Sequence, residues 1–157
     1  MSVGSQAIQT EEMDDQMVLY AKDIVESDFI SLTPDTSALE AAKLMKEKKH
    51  GFAIIIKDGK PYGIVTEWDY LSKIVAEGKS AATVNLKEIM TENLVTVQGN
   101  LGIDAVSKLM AEKGIRRILV MERDRLVGVI TSKTILSRLE EYINRVSAQI
   151  ARLQSPF

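Results

Sequence analysis

Thr66 and Asp69, in the stretch Gly63-Ile64-Val65-Thr66-Glu67-Trp68-Asp69, set a hydroxyl and a carboxylate three residues apart. They stand where a strand pattern gives way to a helix pattern. In the first turn of a helix, groups at that spacing can face one small volume. A carboxylate only accepts hydrogen bonds and can take two at once, which suits the vicinal 2′ and 3′ hydroxyls of a ribose. The same spacing is also a capping box, which needs no ligand and only satisfies backbone N–H groups. A second turn of this kind, Gly128-Val129-Ile130-Thr131, keeps the threonine but has Thr134 where the acid stood. A cap is useful in both places, so its loss from one suggests that Asp69 serves something only the first site keeps.

A second candidate is the pair Arg116-Arg117, just before the apolar run Ile118-Leu119-Val120-Met121. Guanidinium groups hold phosphate oxygens in bidentate fashion. Neighbours on a strand point to opposite faces, so both arginines reach one ligand only if Arg116 precedes the strand. The plain alternative is two solvated arginines.

Other chemistries find little support. The chain has 157 residues, no cysteine and one histidine, His50. Thiol chemistry and disulfides are excluded, and a structural zinc site is not expected. There is no P-loop and no nucleophile–base pair, so no enzyme activity is expected. A net charge of −2 offers no basic field for nucleic acid. No apolar run is long enough to span a bilayer. The first residues lack a signal-peptide layout, and with the absence of cysteine this fits a cytoplasmic protein. Glu11, Glu12, Asp14 and Asp15 read as a solvated acidic run rather than a cation site.

The elements that must position these groups occur twice. Shifted by 65, Lys22 to Ser72 aligns without a gap to Lys87 to Ser137, with 11 identities in 51 positions. Unrelated stretches of normal composition share roughly three. Each copy opens on an extended run, "FISL" or "LVTV". A helix follows, entered in the first copy through Ser37 and Glu40 as a capping box, with Ala38, Ala41, Ala42 and Met45 on one face. In the second copy Ile103, Val106, Ser107 and Met110 take those places. Two strands joined by a tight turn come next, "FAIII" and "YGIVT", then "ILVM" and "VGVIT". A last helix starts after Thr66 or Thr131.

The expected architecture is mixed α/β: two β-α-β-β-α repeats and an extended C-terminal helix. Residues 1–16 read as a flexible acidic N-terminus, 17–78 and 79–140 as the repeats, and 141–157 as a helical extension. Leu139, Ile143, Val146, Ile150 and Leu153 are spaced 4, 3, 4, 3, a coiled-coil seam. That stripe packs either on the chain's own body or on a second copy.

The tandem order, the spacing and the "GIVTEWD" turn together resemble a pair of CBS domains, over residues 17 to 140. The resemblance implies repeats packed sheet against sheet about a pseudo-twofold axis, and frequent dimerisation. It also implies a cleft for an adenosine-containing ligand (AMP, ADP, ATP or S-adenosylmethionine) and a regulatory role without catalysis. By the family's pattern the arginine pair lies across the cleft from the other repeat's Thr-x-x-Asp turn. That assigns Thr66 and Asp69 to the ribose and Arg116 and Arg117 to phosphate. The base falls among Ile64, Leu94, Val95 and Ile115, with Met90 and Thr91 near the phosphate end. The mirror pocket, with Thr131, Val129, Phe29, Ile30 and His50-Gly51-Phe52, is expected to be weak, empty or tuned to another ligand. Trp68 reads as an interface residue. An adenine nucleotide, a second copy and an unidentified effector protein are the expected partners; a scaffold that binds no nucleotide is the alternative.

Overall fold

The short, nearly continuous apolar runs within 52–57 and 60–66, and again within 117–122 and 125–131, fold as two hairpins. The computed structural model describes residues 19–154; the acidic run around Glu11 to Asp15 lies outside them. The first repeat contains α1 (Ala21–Ile24), β1 (Ser31–Leu32), α2 (Ala38–Lys48), β2 (Phe52–Lys57), β3 (Lys60–Thr66) and α3 (Glu67–Tyr70). A π-helical turn, Leu71–Val75, extends α3. The second repeat contains α4 (Leu86–Ile89), β4 (Thr96–Gln98), α5 (Ile103–Lys113), β5 (Arg117–Glu122), β6 (Arg125–Thr131) and α6 (Ser132–Leu153). The sheets run β1-β2-β3 and β4-β5-β6, each with one parallel pair and one antiparallel hairpin. The expected β-α-β-β-α order is present twice, with one extra helical turn ahead of each first strand.

Local chemistry sets the element ends. Ser37 caps α2 by accepting the Glu40 N–H at 3.1 Å. α2 stops where Lys49 turns left-handed (φ 56°), and α5 stops at Gly114 (φ 61°). The two-residue turn Asp58-Gly59 has both φ positive, as a type I′ hairpin demands. α2 buries Ala38, Ala41 and Met45, and α5 buries Val106 and Met110, the faces read from spacing.

The central strands are covered on both sides. Ala53 and Ile55 of β2 face the first core with α2, while Ile54 between them packs with Leu119 and Val129 of the other sheet. Ile118 and Val120 of β5 likewise face the second core. The two sheets therefore meet across a thin apolar seam that also holds Phe29, Phe52, Ile64 and Leu94.

The leading segments are exchanged. Ala21 and Ile24 of α1 lie in the second repeat's core, whereas Leu86, Ile89 and Met90 lie in the first's. After α1 the chain pairs with β6: Glu26 N–H donates to the Val129 carbonyl and Val129 N–H donates back, both at 3.0 Å. After α4, Thr91 pairs with Ile64 of β3 in the same way, at 2.8 and 3.0 Å. Gly128 makes the first crossing possible, because a Cβ there would overlap the Glu26 carbonyl oxygen.

Candidate functional site

The Thr66–Asp69 turn is spent on the protein itself. Asp69 Oδ2 accepts the Thr66 N–H at 2.8 Å and the Thr66 hydroxyl at 3.3 Å. Oδ1 accepts Lys73 Nζ at 2.9 Å, and Lys73 also donates to the Ile89 carbonyl at 2.7 Å. Asp69 is 4% exposed. The next residue, Tyr70, donates its hydroxyl to the Ala38 carbonyl at 2.6 Å. Burial, with the Asp69 charge beside it, pushes that phenol up to about 12. The carboxylate thus acts as a buried cap tied to α4, and Met90 sits beneath the turn against Gly63.

The open volume lies at the other repeat's turn. A cavity of about 740 Å³ is lined from the first repeat by Val25, Glu26, His50, Gly51 and Phe52. The second repeat contributes Arg116, Arg117, Thr131, Thr134, Ser137 and Arg138. Both arginines, expected across from Asp69, open onto the cavity of Thr131 and Thr134, and Asp69 is not among its walls. The turn read as the weak mirror pocket is the one with room. Val25 holds here the place that Met90, a longer side chain, holds in the first repeat.

Register explains how both arginines reach one space. β5 begins at Arg117, paired with Thr131, and Arg116 precedes it. The Arg116 carbonyl accepts the Ser132 N–H at 3.0 Å, which holds the loop against the start of α6. Across the seam the Arg117 guanidinium lies 4.9 Å from the centre of the Phe52 ring, and His50 stacks on Phe52 at 6.3 Å and 11°. Burial, then the like charge of Arg116, lowers Arg117 below the usual guanidinium value; Glu67 opposes them. A second pocket of about 400 Å³ shares His50 and Lys49 as walls. His50 Nδ1 is buried without a hydrogen-bond partner among the described residues.

Cations outnumber acids on the large cavity's walls: Lys48, Lys49, Arg116, Arg117, Lys133 and Arg138 against Glu26, Asp28 and Glu141. Arg138 is paired with Glu141 at 3.0 Å. At the turn, Thr131 Oγ1 accepts the Thr134 N–H at 3.2 Å, and the Thr134 hydroxyl donates to Glu26 Oε1 at 2.6 Å. Such an arrangement can hold an anion through the arginines and a hydroxyl-bearing group through the threonines and Glu26.

The remaining sequence candidates scatter. Ile64 and Leu94 lie in the seam between sheets, while Val95 and Ile115 pack on the second repeat's core. Met90 is buried in the first core and Thr91 is bridged to Ile64. Trp68 is 66% exposed. Sequence reading missed Glu26 and the Arg117–Phe52 stack. Their only signal is that position 26 matches 91, and position 52 matches 117, in the repeat alignment. Among the described residues no cluster of His, Cys, Asp and Glu is placed to hold a metal. No helix there is long and apolar enough to cross a membrane.

Two copies of one α/β unit, meeting sheet to sheet and leaving a charged cavity at their joint, define a tandem-repeat module. A CBS domain profile matches residues 21–76 and 86–141, and the chain belongs to the CBS domain family. It is 33% identical over 123 residues to the uncharacterized protein MK0525 of Methanopyrus kandleri, covering 77% of this chain and 62% of that one. It is 34% identical over 125 residues to a homoserine O-acetyltransferase of Methanohalobium evestigatum, covering 78% of this chain but 24% of the relative. The chain thus spans less than two thirds of the length of either. The CBS domain pair of protein MJ0100 was solved with 5′-methylthioadenosine and S-adenosyl-L-methionine. It shares 32% identity and a TM-score of 0.68, over 79% of this chain and 97% of that one.

Proposed function

We propose that this protein is a regulatory module that binds an adenosine nucleotide, AMP, ADP or ATP, in the cavity between its repeats. The observation that carries the reading is the pair Arg116 and Arg117 opening onto one cavity of about 740 Å³ between the repeats. Two guanidinium groups side by side repel each other, and a phosphate between them relieves that repulsion. Val25 and Phe52, which line the cavity, supply apolar wall for the base in place of Val95 and Ile115, which do not line it. Because the walls come from both repeats, a ligand ties them together. It shifts their arrangement to the extent that it prefers one state. The output passes to a second copy through α6, or to a separate effector protein.

Calorimetry with AMP, ATP, adenosine and S-adenosylmethionine tests this. Arg117→Ala is expected to weaken AMP and ATP about tenfold or more, the worth of a hydrogen bond to a charged group, and adenosine much less. Equal losses for all three remove the phosphate role. S-adenosylmethionine is a second reading, supported by the relative solved with it; its sulfonium gains nothing from the arginines. A melting temperature unmoved by millimolar amounts of every one of these ligands favours a scaffold instead.

A further inference from the structure

The two Thr turns differ in a compensated way. In the first repeat the acid is at 69, and the crossing segment bridged to β3 carries Thr91. In the second, the equivalent of 69 is Thr134, and the crossing segment bridged to β6 carries Glu26. Subtracting the repeat offset of 65 maps 134 onto 69, 91 onto 26, and 129 onto 64, so the bridges match residue for residue. At these two matched positions each repeat has one carboxylate residue and one threonine, with their places exchanged.

Their availability is opposite. Asp69 is buried and held by Lys73. Glu26 is exposed, lines the large cavity, and has no ion pair among the described residues. Its Oε1 takes the Thr134 hydroxyl, which in turn lies 3.0 Å from the Thr131 hydroxyl. Its second oxygen has no hydrogen-bond partner among the described residues. A carboxylate fixed on one side by a hydroxyl chain and open on the other can accept from a diol. Arg116 and Arg117 line the same cavity, and they rather than a carboxylate are the groups that attract a phosphate.

We propose that Glu26 is the acid that reads the sugar hydroxyls of the bound nucleotide, so that the functional site is built on the second repeat's turn with its acid delivered by the first. The proposal rests on the nucleotide reading above. The test is the affinity ratio of AMP to 2′,3′-dideoxy-AMP, measured by calorimetry on the full chain. Wild type is expected to prefer AMP about tenfold or more. Glu26→Ala brings the ratio close to one, through loss of AMP affinity. The double variant Glu26→Ala/Thr134→Asp, which returns the acid to the position it has in the first repeat, restores the preference. A role limited to anchoring Thr134 would not move the ratio. A ratio near one in wild type, a ratio kept in Glu26→Ala, or one that collapses in Asp69→Asn instead overturns the assignment and leaves the nucleotide site standing. Absence of AMP binding to wild type overturns both.

Discussion

Asp69 illustrates how a spacing open to two readings, cap or ligand contact, is used for the cap. Its carboxylate caps α3 and pairs with Lys73, and it is almost wholly removed from water. Asp69→Ala is expected to lower stability by about 1–3 kcal/mol, the range for removing a buried, charge-assisted acceptor, as read from urea denaturation. The lower part of that range applies if Lys73, 42% exposed, turns to solvent when its partner is removed. Unchanged stability would mean that the cap is not what Asp69 is for. The motif was visible in the sequence because its members lie three residues apart. Lys73 was equally near, at i+4, yet its weight depended on burial that spacing does not show. Glu26 was beyond reach: its partner Thr134 is 108 residues away, and only the register of two crossing segments brings them together.

Among the elements, the helices α2 and α5 and the two hairpins were legible, because their apolar periods and turn residues are local. α1 and α4 were not. At four residues each they carry too little periodicity, and they are held by a core belonging to the other repeat. The crossing segments they introduce press on two equivalent glycines with different consequences. A methyl group at 128 meets the Glu26 carbonyl, which is backbone held by two hydrogen bonds to Val129. A methyl group at 63 meets Met90 Sδ at 2.6 Å, the flexible part of a side chain that can move aside. Gly128→Ala is therefore expected to cost more than Gly63→Ala, by about 1–3 kcal/mol, the usual cost of overpacking with backbone shift. Denaturant midpoints of the two variants measure this; equal midpoints would show that the crossing at Glu26 yields as readily as Met90.

At the scale of the molecule, α6 is the feature without an internal account. It runs 22 residues, roughly 33 Å at the helical rise, and Thr134 is its only buried residue. Leu139, Ile143 and Ile150 are each about half exposed along the seam. A second copy of α6 is the partner that the 4, 3, 4, 3 spacing fits. Light scattering should find the full chain dimeric and a chain ending at Glu140 monomeric; a full chain that stays monomeric at high concentration removes that role. The exchanged leading segments bear on what holds the halves together. Cleaving the peptide backbone once between Gly78 and Thr83 would separate the repeats in covalent terms only. Each fragment would still carry a helical turn and a bridging stretch seated in its counterpart's interior. The nicked protein should elute as an intact heterodimer and melt in one transition. Two fragments mixed after separate production should recover the native circular dichroism that neither has alone.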